Sequence, residues 1–183
     1  MLTRRQSIGR RWLLACLTIV AALVVSGLTL ADEENDSYPK CDFRGSWYGY
    51  LPTLQLDFMS MITGTSASHG TYVLEVPGFE LTALGAVKTS SFRGTWERLD
   101  KNSIAFTLIS YGVDTIGQTT VIVKISGIDT ISNDCNTMSI ENTNEIFSGV
   151  QDPFGNQAPA FGYVLGGKHA ASRMRVDPPA EPL

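Results

Sequence analysis

Histidine and cysteine are scarce in this chain of 183 residues: two of the first, three of the second. No H-x-H, H-E-x-x-H or C-x-x-C spacing occurs, so the ligand sets that hold zinc are missing. Residues 129–134 carry two acids and Asn133 but lack the spacing and closing Glu of a calcium loop. Basic residues are outnumbered, 14 against 18 acidic, for a net charge of −4. That excludes the broad basic footprint of a nucleic-acid binder. There is no G-x-S-x-G elbow and no lysine-bearing phosphate loop. Neither metal nor cofactor is expected. What the chain does have is apolar surface. Hydrophobic residues make up 43%, with eight Phe, six Tyr, three Trp and five Met, enough to build a folded core rather than a disordered coil.

The first thirty residues read as an address. Arg4, Arg5, Arg10 and Arg11 precede an apolar run from Trp12 to Val25, and Thr29-Leu30-Ala31 offers a small-residue cleavage site before Asp32. This is the pattern of a secretory signal peptide over 1–31. A retained anchor is the rival, because Trp12 to Ala31 is long enough to span a bilayer; the small residues and the acidic flank favour cleavage, which leaves no stable membrane anchor. Leu13-Leu14-Ala15-Cys16 has the letters of a lipoprotein box but sits too close to the arginines to follow an apolar helix. Thr3-Arg4-Arg5-Gln6-Ser7-Ile8 is a poor twin-arginine match, with Ser7 where a bulky apolar residue is usual. Secreted or periplasmic residence follows. Without the four arginines, ten basic residues face 18 acidic ones, a net charge of −8.

Cleavage also leaves two cysteines, Cys41 and Cys135. An oxidising compartment and an even count make their disulfide the natural pairing, with two buried thiols as the alternative. Residues 32–40 read as a polar leader and 177–183 as a proline-rich, disordered tail, which places one domain at 41–176.

Within that domain the dominant pattern is two-residue alternation between turn residues. Phe43, Gly45, Trp47, Gly49 and Leu51 share a face, as do Tyr72, Leu74 and Val76. So do Phe92, Gly94 and Trp96; Ile104, Phe106 and Leu108; Val121, Val123 and Ile125; and Met138 and Ile140. Phe161, Tyr163 and Leu165 form the last short run, and residues 129–134 read as a polar turn. Seven or eight strands without long helical patterns predict an all-β antiparallel sandwich or barrel. Residues 53–62 fit a helix face (Leu54, Phe58, Met61, Ile62) and a strand face (Leu54, Leu56, Phe58); a strand or extended flap is the preferred reading.

Phe43-Arg44-Gly45-Ser46-Trp47 recurs 49 residues on as Phe92-Arg93-Gly94-Thr95-Trp96. A glycine between aromatics lets a backbone or ring approach closely or marks a barrel corner; the other reading is a duplication whose tryptophans line a shared cavity. With Tyr48, the first copy resembles the G-x-W-Y opening strand of the lipocalins and the wider calycin group. The resemblance implies an up-and-down barrel of about eight strands, with Trp47 closing one end beside Gly45. It also implies an arginine packed over that tryptophan, for which Arg173 and Arg175 are the candidates.

A barrel of this size either fills with side chains or holds one small ligand. Inward glycines (Gly45, Gly49, Gly94) subtract volume and favour a cavity, while the aromatics can fill the same space. The leading expectation is an exported, lipocalin-like carrier of a small hydrophobic molecule, lined by Tyr72, Leu74, Phe92, Trp96, Phe106 and Leu108. One alternative is an interaction module with a filled core. Another is an isomerase- or cyclase-type enzyme, which needs Glu75, Glu97 and Arg98 to converge inside although alternation points both glutamates outward. His69 and His169 read as exposed loop residues, and Glu141 and Glu145 as a solvated face.

Overall fold

The computed structural model of the protein describes residues 41–64, 66–164 and 166–175. The signal peptide, the polar leader and the proline-rich tail lie outside the described residues. Among the described residues ten strands are present: β1 (Gly45–Leu51), β2 (Leu56–Thr63), β3 (His69–Glu75), β4 (Lys88–Thr89), β5 (Phe92–Arg98), β6 (Ser103–Val113), β7 (Thr119–Ile131), β8 (Thr137–Ser148), β9 (Tyr163–Val164) and β10 (Lys168–Arg173). Among the described residues the only helical element is a single 3-10 turn at Thr82–Leu84, and no helix is long and apolar enough to cross a membrane.

Eight strands close into an antiparallel barrel. The order is β1-β2-β3-β5-β6-β7-β8-β10, and β10 pairs with both β8 and β1 to seal it. Consecutive barrel strands are neighbours, which is the up-and-down arrangement of a lipocalin-like barrel. The two short strands extend its walls: β4 continues β5 along β6, and β9 continues β10 along β8. The strand reading holds at 53–62, where a turn over 52–55 leads into β2 with Phe58 and Ile62 buried.

The alternation reports the inner face faithfully. Phe43, Trp47, Tyr72, Phe92, Trp96, Ile104, Phe106, Leu108, Val121, Val123 and Met138 all lie in one buried cluster. Three expectations change. The run Phe161–Tyr163 is not a barrel strand: both rings are exposed and only β9 pairs there. The barrel's last strand is β10, whose inner positions carry His169, Ala171 and Arg173 rather than large aliphatics. Residues 129–131 are not a turn either, because β7 runs through Gly127 to Ile131 and buries Asp129 completely. The glycines do not hollow the barrel. A Cβ on Gly49 would stand 2.4 Å from the Phe58 ring, and one on Gly45 2.9 Å from an Arg173 guanidinium nitrogen. Each glycine admits a close neighbour. Gly94 does the same, since a Cβ there would lie 1.8 Å from the Thr107 carbonyl.

The base is tied together by charge, ring and sulfur. The Arg173 guanidinium lies 4.4 Å above the Trp47 ring centroid. It donates from Nε to Cys135 O and from Nη1 to Arg44 O, both at 2.9 Å, and also to Asp42 O. Arg175 instead reaches Asn136 Oδ1 from the surface. The buried indoles donate to backbone, Trp47 to Phe43 O at 3.0 Å and Trp96 to Thr63 O at 2.8 Å. Cys41 and Cys135 are disulfide-bonded across 94 residues, a bridge suited to an oxidising environment.

Candidate functional site

Above this base the inner face does not fill. A cavity of about 320 Å³ remains, at the small end of ligand pockets, which run roughly 300–1,000 Å³. Its wall includes Phe58, Tyr72, Leu74, Phe92, Phe106, Leu108, Val123 and Ile125. The Tyr72 and Phe106 rings meet tilted, 5.2 Å between centroids, an offset geometry favourable to aromatic pairs. Of the six expected lining residues, five border this space and Trp96 does not. Its indole is held at the base by the bond to Thr63 O.

The mouth is bounded by Leu51, Thr53 and Leu54 from the β1–β2 turn and by Phe79, Glu80 and Leu81 from the loop after β3. That loop is pinned inward: Phe79 packs on Phe92 with centroids 5.4 Å apart, and Thr89 Oγ1 donates to Phe79 O at 2.9 Å. Leu54 is half exposed at the rim, the position where an apolar side chain meets both water and an entering molecule.

One wall is polar. Asn142 and Asn144 on β8 and His169 on β10 border the cavity. Asn142 Nδ2 donates to Asn144 Oδ1 at 2.9 Å. Asn142 Oδ1 and His169 Nδ1 are buried without a hydrogen-bond partner. Burial lowers the His169 pKa from its ordinary value, which favours the uncharged ring. His169 is therefore a strand residue on the cavity wall, not an exposed loop histidine, whereas His69 is exposed beside Ser66 and Ser68. The sequence held the signal for these wall residues. Asn142, Asn144 and Ile146 continue the alternation of Met138 and Ile140, and His169 is in step with Ala171 and Arg173.

Deeper in the barrel lies a second polar group. Asp129 is fully buried, and neither of its carboxylate oxygens has a hydrogen bond of normal geometry, nor does Ser60 Oγ. Desolvation pushes the Asp129 pKa up to about 7, opposed by the nearby Tyr72 hydroxyl. Burial first, and then the Asp129 charge, raise the Tyr72 hydroxyl well above its ordinary value. Tyr72 thus gives its ring to the cavity wall and its oxygen to this buried group.

The residues proposed for catalysis do not converge. Glu75 and Glu97 are exposed, and Arg98 is occupied at the base, bonded to Ala67 O and lying over the Phe43 ring. Glu141 is solvated and pairs with Lys168 at 3.4 Å. Glu145 is instead partly covered and pairs with Lys124 at 2.5 Å. No cluster able to hold a metal occurs among the described residues.

Fold and site together define a closed up-and-down β-barrel with an apolar calyx. No protein-family model, curated protein or solved structure matches the chain.

Proposed function

We propose that this is an exported, lipocalin-like carrier that holds one small apolar molecule inside its barrel. The observation that carries the reading is the apolar cavity of about 320 Å³ standing over a sealed base. Burying apolar ligand surface there contributes roughly 25 cal/mol per Å² before ordering costs. The Arg-rich, apolar start of the chain and the Cys41–Cys135 bridge support export. Gly45, Trp47 and the stacked Arg173 support the calycin resemblance.

A titration of the purified, oxidised protein with the neutral dye N-phenyl-1-naphthylamine tests it. Fluorescence is expected to saturate at one dye per chain. Leu74→Trp, which places an indole in the cavity, is expected to weaken the dye more than tenfold while moving the melting temperature only a few degrees. Unsaturable fluorescence, or a variant that binds as well as the parent, would sink the carrier reading.

One observation favours a second role. The outer face of β1–β2 exposes Tyr48, Tyr50, Met59 and Met61, with Tyr48 directly opposite Met59. Solitary exposed apolar side chains are ordinary, but contiguous ones mark contact surfaces. An interaction module predicts a mass in solution that rises with concentration.

A further inference from the structure

The two ends of the barrel expose different chemistry. Successive connections of an up-and-down barrel alternate between its ends. Those after β1, β3, β6 and β8 stand at the mouth, and those after β2, β5 and β7 at the base. Among the described residues the three most exposed large apolar side chains are Val150 at 95%, Ile116 at 77% and Phe154 at 70%. All three lie on mouth connections, where Leu54 and Val87 are also about half exposed. At the base Leu99 and Met174 are about half exposed, but they stand among Asp100, Lys101 and Arg175.

Hydrogen bonds hold the mouth turns in shape. Asp114 Oδ1 accepts from the N–H groups of Ile116 and Gln118, each at 2.9 Å. Asp152 Oδ1 accepts from Phe154 N at 2.9 Å. Gly149 N donates to Thr120 O at 2.9 Å, which sets Val150 beside the start of β7, the strand that the turn of Ile116 leads into. Apolar surface thus runs from the cavity wall through Leu54 and Leu81 to the tips. Its form and charge decide the partner. Ile116 and Val150 project as separate knobs, and a fluid bilayer interface accepts such knobs without the shape complementarity that a protein partner needs. Residues 52–55, 76–87, 114–118 and 149–162 contain Glu80, Asp114 and Asp152 but no Lys or Arg, so nothing there attracts anionic headgroups. We propose that the mouth end docks on a lipid surface of zwitterionic headgroups, with Ile116 and Val150 entering the acyl boundary. As the face through which an apolar cargo is loaded, it rests on the carrier reading; as a docking surface it stands by itself.

Co-sedimentation of the purified, oxidised protein with dioleoylphosphatidylcholine vesicles tests the proposal. The parent is expected to bind. Ile116→Ser and Val150→Ser are each expected to weaken binding about tenfold, the effect of leaving one aliphatic side chain unburied. Leu99→Ser, at the base, is expected to bind as the parent does. All three positions are exposed, so melting temperatures are expected to stay within about three degrees of the parent. Ile116→Trp adds a local signal: vesicles are expected to shift its emission to the blue, and brominated phosphatidylcholine to quench it, beyond any change in the parent. The proposal is overturned by a parent that stays in the supernatant, by Ile116→Ser and Val150→Ser binding as the parent does, by binding that needs phosphatidylglycerol, or by an Ile116→Trp emission that lipid leaves unchanged. Dye titration in vesicle-free buffer reads the carrier function separately. Saturable dye without vesicle binding removes the docking surface and leaves the carrier; vesicle binding without saturable dye does the reverse.

Discussion

At the base of the barrel, Arg173 donates to three backbone carbonyls, lies 4.4 Å over Trp47 and sits beside the Cys41–Cys135 bridge. At the other end, Leu54 is half exposed at the rim, and Asn142 and His169 each hold a polar atom that no protein group satisfies. Both ends are built on the same strands. The difference lies in what fills the inner positions. Below, tryptophans and stacked guanidinium groups occupy the space that glycine opens. Above, a wall of Phe, Tyr and aliphatic side chains leaves a hollow. The base is where the fold is secured, and the cavity wall above it carries polar atoms that the fold leaves without partners. Stability and binding should therefore respond to different substitutions.

The disulfide gives the largest test of that separation. Cys135→Ser opens a loop of 94 residues, and the chain-entropy model assigns about 4–5 kcal/mol to a closure of that length. The melting temperature in the absence of reductant is expected to fall steeply. Dye affinity, measured well below the new midpoint, is expected to stay within about twofold, because the bridge lies at the base and the cavity wall does not include it. A variant that melts like the parent would show that the base is secured without sulfur. One that melts lower and also loses the dye would show that the two ends are coupled.

Asp129 is the exception to the contrast, an acid buried below the cavity with the Tyr72 hydroxyl beside it. Its carboxyl is raised to about 7 from 3.8, so the folded state holds a proton that the unfolded chain has released. Stability should then fall as pH rises from about 4 to about 7, and the full penalty remains above that. At about 1.4 kcal/mol per pH unit the fall is at most about 4 kcal/mol. His169, whose pKa is lowered by burial, acts in the opposite sense, losing stability as pH drops below its unfolded value. Urea unfolding of Asp129→Asn beside the parent, both carrying His169→Gln, isolates the acid. The variant is expected to be more stable at pH 8 and to lose the downward trend. Parallel pH profiles would mean that Asp129 titrates normally.

How much of this was legible in the sequence follows from how a barrel uses its inner positions. Strands such as β5 and β6 alternate large apolar residues with polar ones, and Phe92, Trp96, Phe106 and Leu108 were readable at once. The closing seam is different. Gly49 faces Ala171 and Trp47 faces Arg173 across it, so β10 needs small or stacking side chains and carries no aliphatic rhythm. That is why no strand was read over Lys168–Arg173 and why His169 read as a loop residue. Asp129 was hidden by its neighbours: it keeps the alternation of Val121, Val123 and Ile125, but Asn133 and Asp134 after it imitate a turn. The polar wall was missed for a related reason. Asn142 and Asn144 continue a strand face whose earlier members are apolar, and periodicity rules look for apolar residues, not for the positions they vacate.

The smallest effect separates the two arginines that the sequence left as equals. Arg173→Met removes a guanidinium from Trp47 and from three carbonyls, one of which belongs to a disulfide cysteine. Lost bonds to a charged donor, one part-buried and two exposed, cost about 2 kcal/mol. The methionine chain keeps some contact with the indole face, which limits the loss. Arg175→Met removes one bond to Asn136 Oδ1 at an exposed position, and exposed substitutions of this kind stay within about 0.5 kcal/mol. Denaturant midpoints read the difference, and Trp47 supplies a second signal, because its emission should change with Arg173→Met and not with Arg175→Met. Equal midpoints and unchanged emission in both variants would place the securing of the base in the disulfide and the buried indoles alone, and would remove the stacked arginine as support for the calycin resemblance.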